Sequence, residues 1–199
     1  MIKNYDTIEF VAENSCSGDC RSFSILALSK NKIIIMAMND ALIAELKHEA
    51  INTRKILERV PEDKYSWKPH EKSMAIGRLA SHIAELPIWI NRTLEAAEFD
   101  FLAAPMQSVT YENKAVLLKV FEDKQAAAIA ALQNATDDAL NEKYIMRRGE
   151  KVMFELPRKV MVRNIAFNHI VHHRGQLSVF LRLLDVSVPG MYGPSADER

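Results

Sequence analysis

Two of the six histidines in this 199-residue chain carry its strongest chemical signal. In NHIVHHRGQL, residues 168–177, His169 and His173 stand four apart inside a long apolar helical pattern. On a helix that spacing puts their Cβ atoms about 5–6 Å apart on one face, near enough for two imidazoles to grip one ion. The face is the apolar one, because Val162, Ile165, Ala166, His169, His173, Leu177 and Phe180 follow the 3.6-residue repeat. Neutral imidazoles stacked in such a stripe compete for few hydrogen-bond partners, which favours a metal over two core histidines. His82, in GRLASHIAELPIW and in line with Leu79, Leu86 and Trp89, supplies a third ring. Alone it reads as a core histidine bonded to a neighbour. Three histidines from two packed helices, with positions left to water, match an open catalytic site. His172 competes with His173 by spacing, but it projects about 100° away from the stripe.

Three neutral imidazoles leave an ion its full charge, able to acidify water or take a thiolate. Zinc is the default for a histidine-only site, and nickel or iron also accept imidazole. Proteolysis of the H-E-x-x-H type is not expected, since Ile170 follows His169. Three residues are candidates for catalysis. Glu85, one turn beyond His82, is the nearest acid, although a solvated carboxylate is its commoner role. Gln176, one turn past His173, can orient a ligand or water. Arg174 reads first as a structural ion pair, and would also suit an anionic thiol.

The elements that must position these residues are helical. The first helix is expected from about Asn39 to Val60, with Leu42, Leu46, Ala50, Thr53, Leu57 and Val60 inward and Pro61 as its stop. His48 falls on another face. The second helix runs from about Ala75 to Ala97, and Pro87 should bend it one turn past His82. Residues 98–110 read as an apolar loop. The third helix, Tyr111 to about Asn134, carries Val116, Val120, Phe121, Ala127, Ala128 and Ala131. Tyr144–Arg147 and Lys151–Phe154 alternate around Arg148-Gly149-Glu150, a small β-hairpin. Pro157 opens a fourth helix that continues to about Leu184. The pattern predicts an all-α four-helix bundle with a small β-hairpin before the last helix, and a metal between helices two and four.

Composition sets outer bounds. Lys+Arg and Asp+Glu number 26 each, so the formal charge is zero and the footprint of a nucleic-acid binder is missing. No apolar run reaches the roughly 18 residues that a spanning helix needs. Cys16 and Cys20 are the only cysteines; they read as free thiols in a reducing, cytoplasmic setting. Residues 1–37 lack helical periodicity and are expected as an extension outside the fold, with residues 38–199 as the domain.

WKPHEKSMAIGRLASHIAELPIW, NHIVHHRGQLSVFLRLL and the closing VPGMYGPSADE together resemble the DinB/YfiT-like metal-binding four-helix proteins over about residues 38–199. The resemblance implies an up-down-down-up type of bundle, a homodimer, and a divalent metal on His82, His169 and His173. It also implies enzymes that use a low-molecular-weight thiol as cosubstrate, acting as transferases or isomerases. Ala75 departs from the pattern, which has a Ser or Thr cap there; such a loss costs about 1 kcal/mol unless Ser73 starts the helix earlier. The expected function is a metal-dependent enzyme activating a small thiol or water against an electrophile or hydrolysable substrate. The alternative is a non-catalytic metal-binding stress protein. A third reading, direct DNA binding, comes from the family's damage-inducible name and gets little support from the neutral charge.

Overall fold

Residues 37–111 and 113–198 are described by the computed structural model of this chain. The expectations for the extension, and for Cys16 and Cys20, fall outside these residues save for Ala37. Helix α1 spans Met38–Leu57 and buries Leu42, Leu46, Ala50, Thr53 and Leu57, together with Ile43 and Ile56. It ends before the expected Val60 because Arg59 and Val60 donate to Ile56 and Leu57, three residues back, tightening the last turn. Val60 is nevertheless fully buried. His48 is exposed.

Helix α2, Ile76–Glu85, starts with no side-chain cap on Ala75, and Ser73 does not lengthen it. Its first amides donate instead to main-chain carbonyls of the preceding loop, Ile76 N to Trp67 O at 2.8 Å and Gly77 N to Tyr65 O at 3.1 Å. That closeness requires glycine, since a Cβ on Gly77 would lie 2.9 Å from Cβ and Cγ of Tyr65. Pro87 divides the second expected helix into α2 and α3, Ile88–Glu95. Leu86 and Pro87 keep right-handed helical angles, so the two pieces form one kinked rod. Arg158 closes the far end of α3, donating to the carbonyls of Thr93, Leu94 and Ala96 at 2.5, 3.0 and 2.8 Å.

The segment after α3 is not loop throughout. Glu98–Asp100 form strand β1, paired in parallel with β2, Lys143–Arg148; β2 pairs antiparallel with β3, Lys151–Pro157. The hairpin is therefore part of a three-stranded sheet in the order β1-β2-β3. A three-residue strand is too short to show alternation, and its partner lies far along the chain. Gly149 makes the hairpin turn with φ +60°.

Helix α4, Lys114–Gln133, begins after Tyr111, where the Asn113 side chain accepts from Val116 N. It buries Leu117, Phe121, Ala128 and Leu132, whereas Val116 and Ala127 face out. A short helix, α5, Asp137–Asn141, follows with Thr136 as its cap. The last rod comprises α6, Arg158–Val162, a π-helical turn over Arg163–Asn168, and α7, His169–Leu183. The π turn takes up one extra residue. This register change buries Phe167 and Ile170, which the regular repeat leaves off the stripe, and half-exposes Ile165.

These rods make the four-helix bundle: α4 packs on α1, α2 and α3, and α7 packs on α1 and α2. Its interior is two apolar clusters, one around Leu46, Trp89, Leu132 and Met161, the other around Ile56, Leu79, Phe121 and Leu181. The boundary passes between Ala84 and Leu86 on the kinked rod and between Ile170 and Leu177 on the last. Among the described residues no helix is long and apolar enough to cross a membrane.

Candidate metal centre

Helix α2 presents His82 near that boundary, and the first two turns of α7 present His169 and His173. The three rings converge. Their centroids are 5.1 Å (His82–His169), 4.7 Å (His82–His173) and 4.6 Å (His169–His173) apart. One potential donor atom from each lies within 4.8 Å of the others. His173 is buried, and the other two are half-buried.

Hydrogen bonds orient two of the rings. His169 Nδ1 lies 3.3 Å from the Ile165 carbonyl, and His173 Nδ1 lies 2.7 Å from Gln176 Oε1. A carbonyl can only accept, so His169 carries its proton on Nδ1 and keeps the Nε2 lone pair for the centre. His82 Nε2 and His169 Nε2 are 3.5 Å apart. Two nitrogens bound to one zinc ion at about 2.1 Å in tetrahedral geometry stand roughly 3.4 Å apart. The spacing of this pair, and a third imidazole within 4.8 Å, suit one divalent ion.

Electrostatics favour neutral rings. Burial, followed by the charges that His173, His169 and Arg78 could place nearby, lowers the His82 pKa to about 4. Burial is also the largest cause lowering those of His169 and His173, against the opposing hydrogen bonds to Ile165 and Gln176. A metal ligand must be unprotonated, and this environment supplies that form.

A cavity of about 260 Å³ opens beside His82 and His169. Leu86, Trp89, Phe101, Met106, Met146 and Ile165 form its apolar wall, and Arg78, Glu85, Gln107 and Ser108 its polar part. Glu85 is the acidic residue of the lining. Its Oε1 accepts from the Tyr111 hydroxyl at 3.0 Å, and its Oε2 stands 3.9 Å from Arg78 Nη1. Burial and this carboxylate push the Tyr111 pKa up to about 12, keeping the phenol a donor.

The remaining candidates divide. Gln176 meets His173 but does not line the cavity. Arg174 is buried in a separate network, paired with Glu49 and donating to Thr53 and Tyr192, which ties α7 to α1 and the C-terminal tail. It is removed from the cavity. His172 is exposed and meets His173 edge-on without joining the three-ring cluster. Residues 98–110 supply part of the lining, while Trp67 packs edge-on against Phe180 and Tyr192 joins Arg174. Arg78 and Tyr111 were not singled out from the sequence. Arg78 precedes His82 by four residues, a spacing that places it on the same helix face. Tyr111 arrives through a loop, and no local pattern marks it.

A family model described as the DinB family matches residues 36–199. The chain belongs to the DinB family. It is 26% identical to YjoA of Bacillus subtilis over 154 residues, 74% of this chain and 91% of that protein. It is 25% identical to YrdA of the same organism over 166 residues, 80% of this chain and 90% of the relative. In fold it is similar to a DinB-like protein from Bacillus cereus, with a TM-score of 0.59 and 23% identity over 77% of this chain and 97% of the other. It is also similar to YfiT of Bacillus subtilis, a probable metal-dependent hydrolase with an unusual four-helix bundle topology. There the TM-score is 0.56 and the identity 13%, over 80% and 95% of the two chains.

Proposed function

We propose that this DinB-family chain is a metal-dependent enzyme whose divalent ion is held by His82, His169 and His173 and whose substrate enters the adjoining cavity. One observation carries the reading: three imidazoles kept neutral by burial converge with a donor atom of each within 4.8 Å of the others, next to a cavity. Zinc is the ion proposed first, and nickel and iron also accept imidazole. Bound there, the ion supplies Lewis acidity and makes a water or a low-molecular-weight thiol nucleophilic near neutral pH.

The protein's own groups do the rest. The Ile165 carbonyl and Gln176 aim the rings of His169 and His173. Glu85, steadied by Tyr111 and lining the cavity, is the group proposed to accept the proton of the attacking water or thiol. Trp89 and Phe101 give the cavity apolar aromatic lining. YfiT's description as a probable metal-dependent hydrolase supports the hydrolytic version by analogy of fold.

The rings also join α2 to α7 near the boundary of the two apolar clusters, which favours a second reading, a structural or sensing metal without catalysis. A homodimer in the cytoplasm completes the proposal. Val171, Val179 and Leu183 leave an apolar row exposed on α7, and a monomer in sedimentation equilibrium would remove the dimer.

The test loads metal-free protein with zinc and measures affinity by competition with a chromogenic chelator. His82→Ala and His173→Ala are expected to remain helical by circular dichroism and to lose affinity by more than the roughly 10–100-fold of a lost supporting hydrogen bond. Full, tight loading in both variants overturns the ligand assignment. Loaded wild type is then incubated with electrophiles and esters, with and without small thiols. Turnover lost in His169→Ala supports the enzyme; no turnover, with a large fall in melting temperature on chelation, supports the second reading.

A further inference from the structure

Besides His82 and His169, the cavity holds two charged side chains, and they face each other. Arg78 Nη1 is 3.9 Å from Glu85 Oε2, while Arg78 Nη2 reaches Ser108 Oγ at 3.5 Å. Arg78 Nη1 makes no hydrogen bond at that distance, but the opposed carboxylate offsets its charge, so the pair offers a charged ligand no net counter-ion. Arg92 lies near but not in the lining; its guanidinium covers Trp89 at 4.9 Å from the ring centroid and its Nη1 contacts the Met106 sulfur at 2.7 Å. An anion entering between Trp89 and Met146 would shed water without gaining a partner there, and a cation would find Trp89 already covered by the Arg92 guanidinium.

Size and shape narrow the class further. The volume of about 260 Å³ is just under the roughly 300–1,000 Å³ of sites for drug-sized ligands, so the occupant is compact. Trp89 and Phe101 stand 6.0 Å apart at 50°, offering aromatic surface at the wall that meets β1. His82 stands about two helical turns before Trp89 on the kinked α2–α3 rod, and it lines the same cavity with His169 and Glu85.

We infer that the cavity selects a compact, uncharged, aromatic or similarly apolar substrate, whose single polar reacting group faces His82 and His169 while its body lies against Trp89, Phe101 and Met146. This rests on the reading of the cavity as the substrate site of a metal enzyme. Selectivity comes from desolvation: the wall accepts apolar surface and gives an ionised group nothing to pair with.

The chain has two tryptophans, Trp67 and Trp89. In full-length Trp67→Phe protein, quenching of Trp89 emission therefore reports occupancy directly, without turnover. Benzyl alcohol, benzoate and benzylamine, matched in size and differing in charge, are titrated into metal-free and zinc-loaded protein. Benzyl alcohol is expected to bind at least tenfold more tightly than either ion in the metal-free protein, and Phe101→Ala to weaken it several-fold. Benzoate binding as well as or better than the alcohol in metal-free protein overturns the inference and makes Arg78 a carboxylate anchor. Failure of all three to bind also overturns it. If zinc does not bind while benzyl alcohol still quenches Trp89, the metal reading fails and the cavity's selectivity stands.

Discussion

At the scale of single residues, the decisive feature is how each imidazole is held. Gln176 Oε1 stands 2.7 Å from His173 Nδ1 and fixes the orientation of that ring. Gln176 is exposed, so Gln176→Ala should leave folding intact and lower zinc affinity by about 10–100-fold, the usual cost of losing a ligand's orienting partner. Competition titration with a chelator checks it. The lowered pKa of His82 gives a pH prediction for the metal-free protein. Unfolded, this histidine takes a proton near 6.5; folded, only near 4. Between those values the unfolded chain binds more protons, so the contribution to stability is present above pH 6.5 and is lost as the pH falls toward 4. Urea midpoints measured from pH 7.5 to 4.5 should fall across this window, and His82→Gln should flatten the fall. An equally steep profile in the variant refutes the assignment to His82.

At the scale of elements, the pieces bearing the site are fixed by contacts from outside themselves. The start of α2 is capped by the carbonyls of Tyr65 and Trp67 rather than by a side chain. Gly77→Ala would drive a methyl group into the Tyr65 stem, so a loss of about 1–3 kcal/mol is expected, measurable by chemical denaturation. The end of α3 depends on Arg158, whose residue is 9% exposed and which serves three carbonyls and Glu142. Arg158→Met should cost about 3 kcal/mol, because the carbonyls lose a charged donor in a mostly buried place. In a domain of this size that is a fall in melting temperature of roughly 6–12 °C. An unchanged Tm would show that water replaces the guanidinium.

For the whole molecule, the three rings belong to two separate rods, so occupation of the centre is coupled to folding. A ligand that binds only the folded chain adds about 2.7 kcal/mol at a hundred times its dissociation constant. Zinc is therefore expected to raise the thermal midpoint, and a chelator to reverse the rise. His169→Ala should abolish both shifts. A zinc-dependent rise that persists in that variant places the metal elsewhere.

Much of this was legible before any coordinates. The i,i+4 histidine pair, the apolar stripes and the proline stops specify local conformation and which side of a helix must be hidden, and such properties depend on near neighbours in the chain. Hence the four rods, the hairpin and the bend at Pro87 follow from the residues between 38 and 184. Distances between rods do not. Whether His82 would meet His169 and His173 depended on how α2 packs on α7, and the π turn that shifts the register ahead of His169 has no signature in the 3.6 repeat. Arg174 looked adjacent to the site along the chain, yet its side chain leaves by another face to meet Glu49. Strand β1, the pairing of Tyr111 with Glu85, and the part of the cavity wall given by Phe101 and Met106 are long-range contacts, set only when the rods have packed.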